Sequence, residues 1–166
     1  MDHTDDVTIR PAAPEDLSEL GRMGERLCHG HHELDPERFF VLENMAQGYT
    51  RFLGREIAND DAVVLAAEAG GRPVGYAYGR MEGREWNSLR DACAVGVDLY
   101  VAPEWRGRGV GRRLCEALVG AFADRGAPRI VVHAAARNER AVAFYESLGF
   151  RPTMVELTRE LGDPGE

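Results

Sequence analysis

The chain of 166 residues suits one domain with one sizeable core, and no apolar run nears the roughly 20 residues of a membrane-spanning helix. Apolar residues at 44% and charged residues at 29% describe an ordinary globular composition, neither disordered nor fibrous. A formal net charge of −8 repels nucleic-acid phosphates and suits a cationic small molecule or basic peptide, although acidity also serves solubility alone.

The opening segment, Met1-Asp2-His3-Thr4-Asp5-Asp6, is acidic and polar, unlike a secretory signal, so a cytoplasmic location is expected. Residues 7–10 alternate and stop at Pro11, which predicts a first strand. Pro14, Glu15 and Asp16 then open a helix, because proline lacks only an orphan N–H there and acids favour the positive dipole end. Leu17, Leu20, Met23 and Leu27 follow at helical spacing. A loop is expected at 28–37 and a second helix within 41–58, with Met45, Tyr49, Phe52 and Leu53 on one side.

Residues 62–69 form an almost continuous apolar run, as in a buried strand. Gly70-Gly71 supplies a hairpin turn into a strand at 73–80, where Gly75, Ala77 and Gly79 leave one face nearly bare. A long strand at 91–101 ends before Pro103, and a helix at 109–125 carries Val110, Leu114, Leu118 and Phe122 on one side. Gly126 and Pro128 stop that helix. A short strand at 130–132, a helix capped by Asn138 and a last strand at about 153–160 complete a mixed α/β order.

Cys28, Cys93 and Cys115 are odd in number, far apart and without a CxxC pair, so they are expected to pack as small apolar groups. His29, His31 and His32 beside Cys28 and Glu33 match no zinc spacing, so no metal is expected.

The densest chemical signal is Leu99-Tyr100-Val101-Ala102-Pro103-Glu104-Trp105-Arg106-Gly107-Arg108-Gly109-Val110-Gly111-Arg112, where a strand enters a Gly- and Arg-rich turn that opens a helix. Glycines let backbone N–H groups approach a ligand, and a helix N-terminus adds about half a positive charge. Three arginines at that point, in an acidic protein, ask for an anion such as a pyrophosphate. No Gly-Lys-Ser/Thr follows, which excludes a P-loop, and a Rossmann turn would follow the first strand rather than the fourth.

At these residues the chain resembles the GNAT superfamily of N-acetyltransferases, whose Gln/Arg-x-x-Gly-x-Gly/Ala signature stands here as Arg106-Gly107-Arg108-Gly109-Val110-Gly111. The later run Asn138-Glu139-Arg140-Ala141-Val142-Ala143-Phe144-Tyr145-Glu146-Ser147-Leu148-Gly149-Phe150 is also similar to that family. The resemblance implies one domain over 1–166, with a mixed sheet of about six to seven strands flanked by about four helices. It implies acetyl transfer from acetyl-CoA to a primary amine by direct attack in a ternary complex; a CoA-binding sensor without turnover is the alternative. Homodimers are common in the superfamily.

Residue by residue, the resemblance implies that Arg106, Gly107, Arg108, Gly109, Val110, Gly111 and Arg112 hold the CoA pyrophosphate. Leu99, Tyr100 and Val101 would meet the pantetheine arm, and a backbone N–H there would polarise the thioester carbonyl. Asn138 matches a position that bonds the pantetheine, and it also reads as a helix cap. Tyr145 matches the tyrosine that protonates the departing thiolate, and it also reads as a core aromatic. The family's usual basic glutamate is replaced by Val95. Asp98 is the nearest substitute, as base or as ammonium ligand, or else a solvated strand residue; Glu82 and Asp91 are weaker candidates.

Overall fold

The computed structural model describes residues 7–162, so the acidic segment 1–6 lies outside the described residues. Five strands stand side by side in chain order: β1 (Thr8–Pro11), β2 (Ala62–Ala69), β3 (Arg72–Glu82), β4 (Cys93–Val101) and β5 (Ile130–Val132). The first four pair antiparallel, and β5 runs parallel to β4. Four α-helices accompany the sheet: α1 (Leu17–Leu34), α2 (Met45–Glu56), α3 (Val110–Asp124) and α4 (Glu139–Ser147). Gly70 and Gly71, with φ of 56° and 75°, supply the two left-handed positions that a tight β2–β3 turn needs.

The bare face of β3 decides where α3 lies. A Cβ on Gly79 would stand 2.9 Å from Phe122 of α3 and 2.8 Å from the Val95 carbonyl; one on Gly75 would stand 3.3 Å from Leu114. The helix therefore rests almost on the strand backbone. Leu114, Leu118 and Phe122 close a core with Val63, Leu65, Ala67, Ala77 and Ala94. Each such leucine or phenylalanine contributes about 1.5–3 kcal/mol by leaving water.

The opposite face packs Tyr76, Tyr78 and Tyr100 against Leu20 and Met23 of α1 and Leu53 of α2. These two helices approach closely at two more glycines. A Cβ on Gly24 would fall 2.3 Å from the Tyr49 ring, and one on Gly21 would fall 2.1 Å from Thr50 Oγ1. The start of α1 is anchored by Asp16, whose carboxylate accepts from Arg10 at 2.7 Å and from the Ala13 N–H at 2.8 Å. Arg10 holds that carboxyl below the usual range.

Two expectations need correction. The segment 28–37 is helical as far as Leu34, because Leu27, Cys28, His31 and Leu34 continue a half-buried face past Gly30. The segment 153–160 forms no strand. The edge strand β5 spans only three residues and offers little ladder to pair with, and residues 151–162 are exposed. The sheet accordingly has five strands, close to the six to seven expected.

Gly79→Ala should cost about 1–3 kcal/mol, since a methyl there collides with backbone as well as with Phe122. Gly48→Ala, in α2 with nothing within 4 Å, should instead stabilise by about 0.5–1 kcal/mol. Urea unfolding of the two variants measures the opposite signs.

Candidate active site

The register of β3 on β4 slips between Tyr78 and Gly79: Tyr78 opposes Asp98, yet Gly79 opposes Gly96. Val97 is the extra residue of this bulge and stands 47% exposed. One inserted residue reverses which face each later side chain occupies. Ala94 before the bulge and Leu99 and Val101 after it all pack on the α3 side. Asp98 and Tyr100 therefore turn to the α1–α2 side, where the Tyr76 hydroxyl donates to Asp98 at 3.1 Å.

The bulge also ends the ladder with β5, which pairs only Ala94, Val95 and Gly96. Beyond Gly96 no strand among the described residues pairs with that side of β4. Ala102 donates its N–H toward β3, to the Val74 carbonyl at 2.8 Å. By alternation Leu99 and Val101 point their backbone groups into the gap, and Tyr100 does not. The Val101 carbonyl accepts there from Arg106 Nε at 2.8 Å.

The glycine turn stands at the mouth of this gap. Gly107 and Gly109 have φ of 72° and 77°, and Gly109 is the residue from which α3 starts. The first N–H groups of α3, at Val110, Gly111 and Arg112, have no preceding turn to bond and gather the positive end of the helix dipole. The Arg106 guanidinium lies 5.5 Å from the Tyr100 ring and that of Arg108 lies 5.2 Å from Trp105. Neither is ion-paired among the described residues, so both charges remain available to an anion. Arg112 turns aside toward Glu116 at 3.4 Å and Ser147 at 3.5 Å.

Helix α4 packs beside this turn; a Cβ on Gly111 would meet the Phe144 ring at 3.8 Å. Asn138 caps α4, its side-chain oxygen accepting from the Ala141 N–H at 3.1 Å, which leaves its amide N–H groups unused by the cap. Tyr145 is half-buried between Phe144 and Phe150, with ring centroids 5.2 and 5.5 Å away. Burial, with Cys115 and Asp98 adding to it, pushes the phenol up to about 12, so it stays protonated at neutral pH.

Asp98 is 9% exposed and pairs with no cation among the described residues; burial pushes its carboxyl up to about 6 against the help of Tyr76. Beside it the Cys28 thiol donates to the Tyr49 hydroxyl at 3.3 Å. Cys93 and Cys115 are buried as expected, but Cys28 belongs to this polar cluster. The weaker carboxylate candidates are taken. Glu82 is clasped by Arg80 and Arg90, and Asp91 by Arg84 at 3.1 Å, which holds both below the usual carboxylate range. Val95 is buried, and among the described residues no three of His, Cys, Asp and Glu converge as a metal site. The sequence offered no sign of Tyr49 and Tyr76 beside Asp98, since only strand pairing and helix packing bring them there.

A sheet that parts after its fourth strand, with a cationic glycine turn at the mouth of the gap, is the architecture of acyl-CoA-dependent acyltransferases. Residues 28–150 match the Acetyltransferase (GNAT) family, and the chain belongs to it. Mycothiol acetyltransferase of Thermobifida fusca is 33% identical over 116 residues, which are 70% of this chain but 29% of that protein. The chain thus spans under a third of that relative. The N-alpha-acetyltransferase RimI of Mycobacterium tuberculosis is 30% identical over 148 residues, 89% of this chain and 80% of its own. An aminoglycoside N-acetyltransferase solved in complex with CoA shares the fold, with a TM-score of 0.71 over 94% of this chain and 95% of its own at 18% identity. No helix among the described residues is long and apolar enough to cross a membrane.

The buried carboxyl of Asp98 makes stability pH-dependent. Its folded value of about 6 lies above the ordinary 3.8, so its protonated form contributes stability that is complete below about pH 4 and lost as pH rises through about 6. The difference amounts to about 3 kcal/mol. Asp98→Asn should therefore be more stable than wild type by up to that amount at pH 8 and nearly equal at pH 4. Urea titrations at the two pH values check it; an equal difference at both would count against a buried, unpaired carboxyl.

Proposed function

We propose that the chain is an acetyl-CoA-dependent N-acetyltransferase that acts on a primary amine of a small molecule or peptide, by direct attack in a ternary complex. The observation that carries this is the open edge of β4 lying between a cationic glycine turn and the buried Asp98. The pyrophosphate rests on the turn from Arg106 to Arg112, met by the first N–H groups of α3 and by the guanidiniums of Arg106 and Arg108, whose charges no carboxylate among the described residues neutralises. The pantetheine arm follows Leu99, Tyr100 and Val101 and bonds the backbone of Leu99 and Val101 as an added strand would. Asn138 keeps its cap and offers its amide N–H to the arm. A backbone N–H of this stretch polarises the thioester carbonyl.

Asp98 draws the acceptor in as its ammonium ion. Tyr145, held protonated by burial, returns a proton to the departing thiolate. Direct attack is favoured over an acyl-cysteine because Cys93 and Cys115 are buried and burial pushes the Cys28 thiol up. The relatives are named a mycothiol acetyltransferase, an N-alpha-acetyltransferase and an aminoglycoside N-acetyltransferase, and a cationic amine is the chemistry an unpaired carboxyl in an acidic protein suits best.

A second reading, an acyl-CoA sensor without turnover, is favoured by the apolar, buried Val95 where the family has a glutamate. Release of CoA from acetyl-CoA across a panel of amines separates the two: binding with no release for any amine establishes the sensor.

Arg106→Ala should weaken acetyl-CoA binding about tenfold by removing a charged donor, and Gly109→Asp should weaken it further by adding an anion and straining a φ of 77°. Raised salt should weaken the wild type as well, because the arginines are exposed. Calorimetry that finds unchanged affinity in both variants would remove the pyrophosphate from this turn.

Tyr145→Phe keeps the ring contacts with Phe144 and Phe150, so folding and acetyl-CoA affinity should persist. Its kcat should fall about 10- to 1,000-fold, the scale of one acid–base contribution. A kcat near wild type would leave Tyr145 a packing residue.

A further inference from the structure

The proposed reaction leaves one step without an agent. The amine arrives as an ammonium ion and must lose a proton before its lone pair can attack, while Asp98 is the group that holds the cation. A carboxylate that stabilises the ammonium raises the amine's proton affinity. Another group has to take the proton away, and α1 carries one in place.

His31 lies one helical turn after Cys28 on the half-buried face of α1 that looks toward the sheet. Cys28 donates to Tyr49, and Tyr76 across the same polar cluster donates to Asp98. Helix α1 lies against both β3 and β4, and a charge on His31 would favour the ionised Asp98 carboxyl. Its Nδ1 lies 2.9 Å from the Leu27 carbonyl oxygen. A carbonyl only accepts, so Nδ1 carries the hydrogen and Nε2 keeps its lone pair. The ring is steadied by Phe39, 5.0 Å away and tilted by 51°. The neighbouring His32 is spent differently, pinning the chain after α1 through the Phe39 carbonyl at 2.6 Å. His29 is exposed.

Resting on the acetyltransferase reading above, we propose that His31 Nε2 is the proton acceptor for the acceptor amine, with Asp98 as the group that seats the ammonium. The N–H bond of the ammonium breaks, its electron pair stays on nitrogen and forms the amide bond, and the proton passes to Nε2 and then to solvent. The thioester C–S bond breaks with its electron pair on sulfur, Tyr145 protonates that thiolate, and the second proton lost by the acylated nitrogen restores the phenol. Ammonium and acetyl-CoA thus become amide, CoA thiol and one released proton.

The titratable groups bearing on this pair come from every element around it: Tyr76 on β3, Asp98 on β4, Tyr49 on α2, Tyr145 on α4, and Cys28 and Glu25 on α1. Arg137 lies at the end of α1, 3.2 Å from the Leu34 carbonyl and 3.6 Å from Asp35. Of the groups on this face, His31 is the one whose ring nitrogen Nε2 is left with an unused lone pair while Nδ1 is held by a backbone carbonyl.

The test is His31→Gln, which keeps a donor for the Leu27 carbonyl and cannot take a proton. Wild type and variant are assayed with two acceptors, an alkylamine that is an ammonium ion at neutral pH and a weakly basic amine that is already neutral there. The variant should bind acetyl-CoA as wild type does. Its kcat/KM for the alkylamine should fall about 100-fold at pH 7 and recover as the pH approaches the amine's own pKa. Its kcat/KM for the weakly basic amine should change little, and added imidazole should restore part of the alkylamine activity. Asp98→Asn should instead raise KM for the alkylamine and spare the weakly basic one. Nitrogen NMR of the wild type should show the neutral His31 ring protonated at Nδ1.

Equal losses for both amines at every pH, an unchanged pH profile, or an Nε2-protonated ring would each overturn the role of His31. Should His31→Gln not fold, the ring tautomer in the wild type still decides. A wild type that releases no CoA with any amine overturns the acetyltransferase reading itself, whereas a wild type with turnover and an unaltered variant overturns only the proton acceptor.

Discussion

Everything at the site depends on one extra residue in β4. With strict alternation, Asp98 would follow Ala94 and Gly96 onto the α3 side, into a core of Leu114, Leu118 and Phe122. A carboxyl there would meet no hydrogen-bond donor, at a cost of several kcal/mol. The bulge at Val97 turns Asp98 to the face where Tyr76 awaits it, and the same residue releases β4 from β5 after Gly96. An open backbone edge and a buried carboxyl facing the helices are thus two consequences of a single insertion. Their positions cannot drift apart.

The two faces of the sheet then do different work. On one, α3 rests on the glycines of β3, so the turn at its N-terminus is held to the sheet with little freedom to shift. On the other, α1 and α2 bring hydroxyls rather than methyls to the strands. Tyr76 donates to Asp98, Tyr78 donates to Glu56 at 2.6 Å, and Tyr49 accepts from Cys28. The hydroxyls of Tyr49, Tyr76 and Tyr78 each have a partner, as a polar cluster in a low-dielectric setting requires. The close approach of α1 and α2 at Gly21 and Gly24 is what brings Tyr49 within reach.

Charge is divided along the same gap. The arginines and the helix dipole gather at the turn, and the unpaired carboxyl lies deeper, on the helix side of β4. In a chain of net charge −8 the turn is a local exception, which gives an anion one place to dock and a cation another. A ligand carrying phosphates and a ligand carrying an ammonium ion are thereby steered to different ends.

Much of the fold is legible in the chain itself. The apolar run at 62–69, the Gly-Gly turn, the four-residue rhythm of Val110, Leu114, Leu118 and Phe122, and the cap at Asn138 are local patterns, and each produces its element with the expected type. The glycine turn before α3 is local too, since its conformation and its helix N-terminus lie within a few residues. The end of α1 and the unpaired segment 153–160 are not set locally, because both turn on neighbours: a face of α1 continues where other elements cover it, and a strand needs an edge long enough to pair. The surroundings of Asp98 belong to the same class. Its face is set by a register slip against β3, and Tyr49 on α2, Tyr76 on β3, and Cys28 and His31 on α1 reach it from three separate stretches of chain. Nothing in the residues adjacent to Asp98 encodes that meeting, so whether it is a solvated strand residue or a buried acid was decided only when the sheet and the helix pair closed over it.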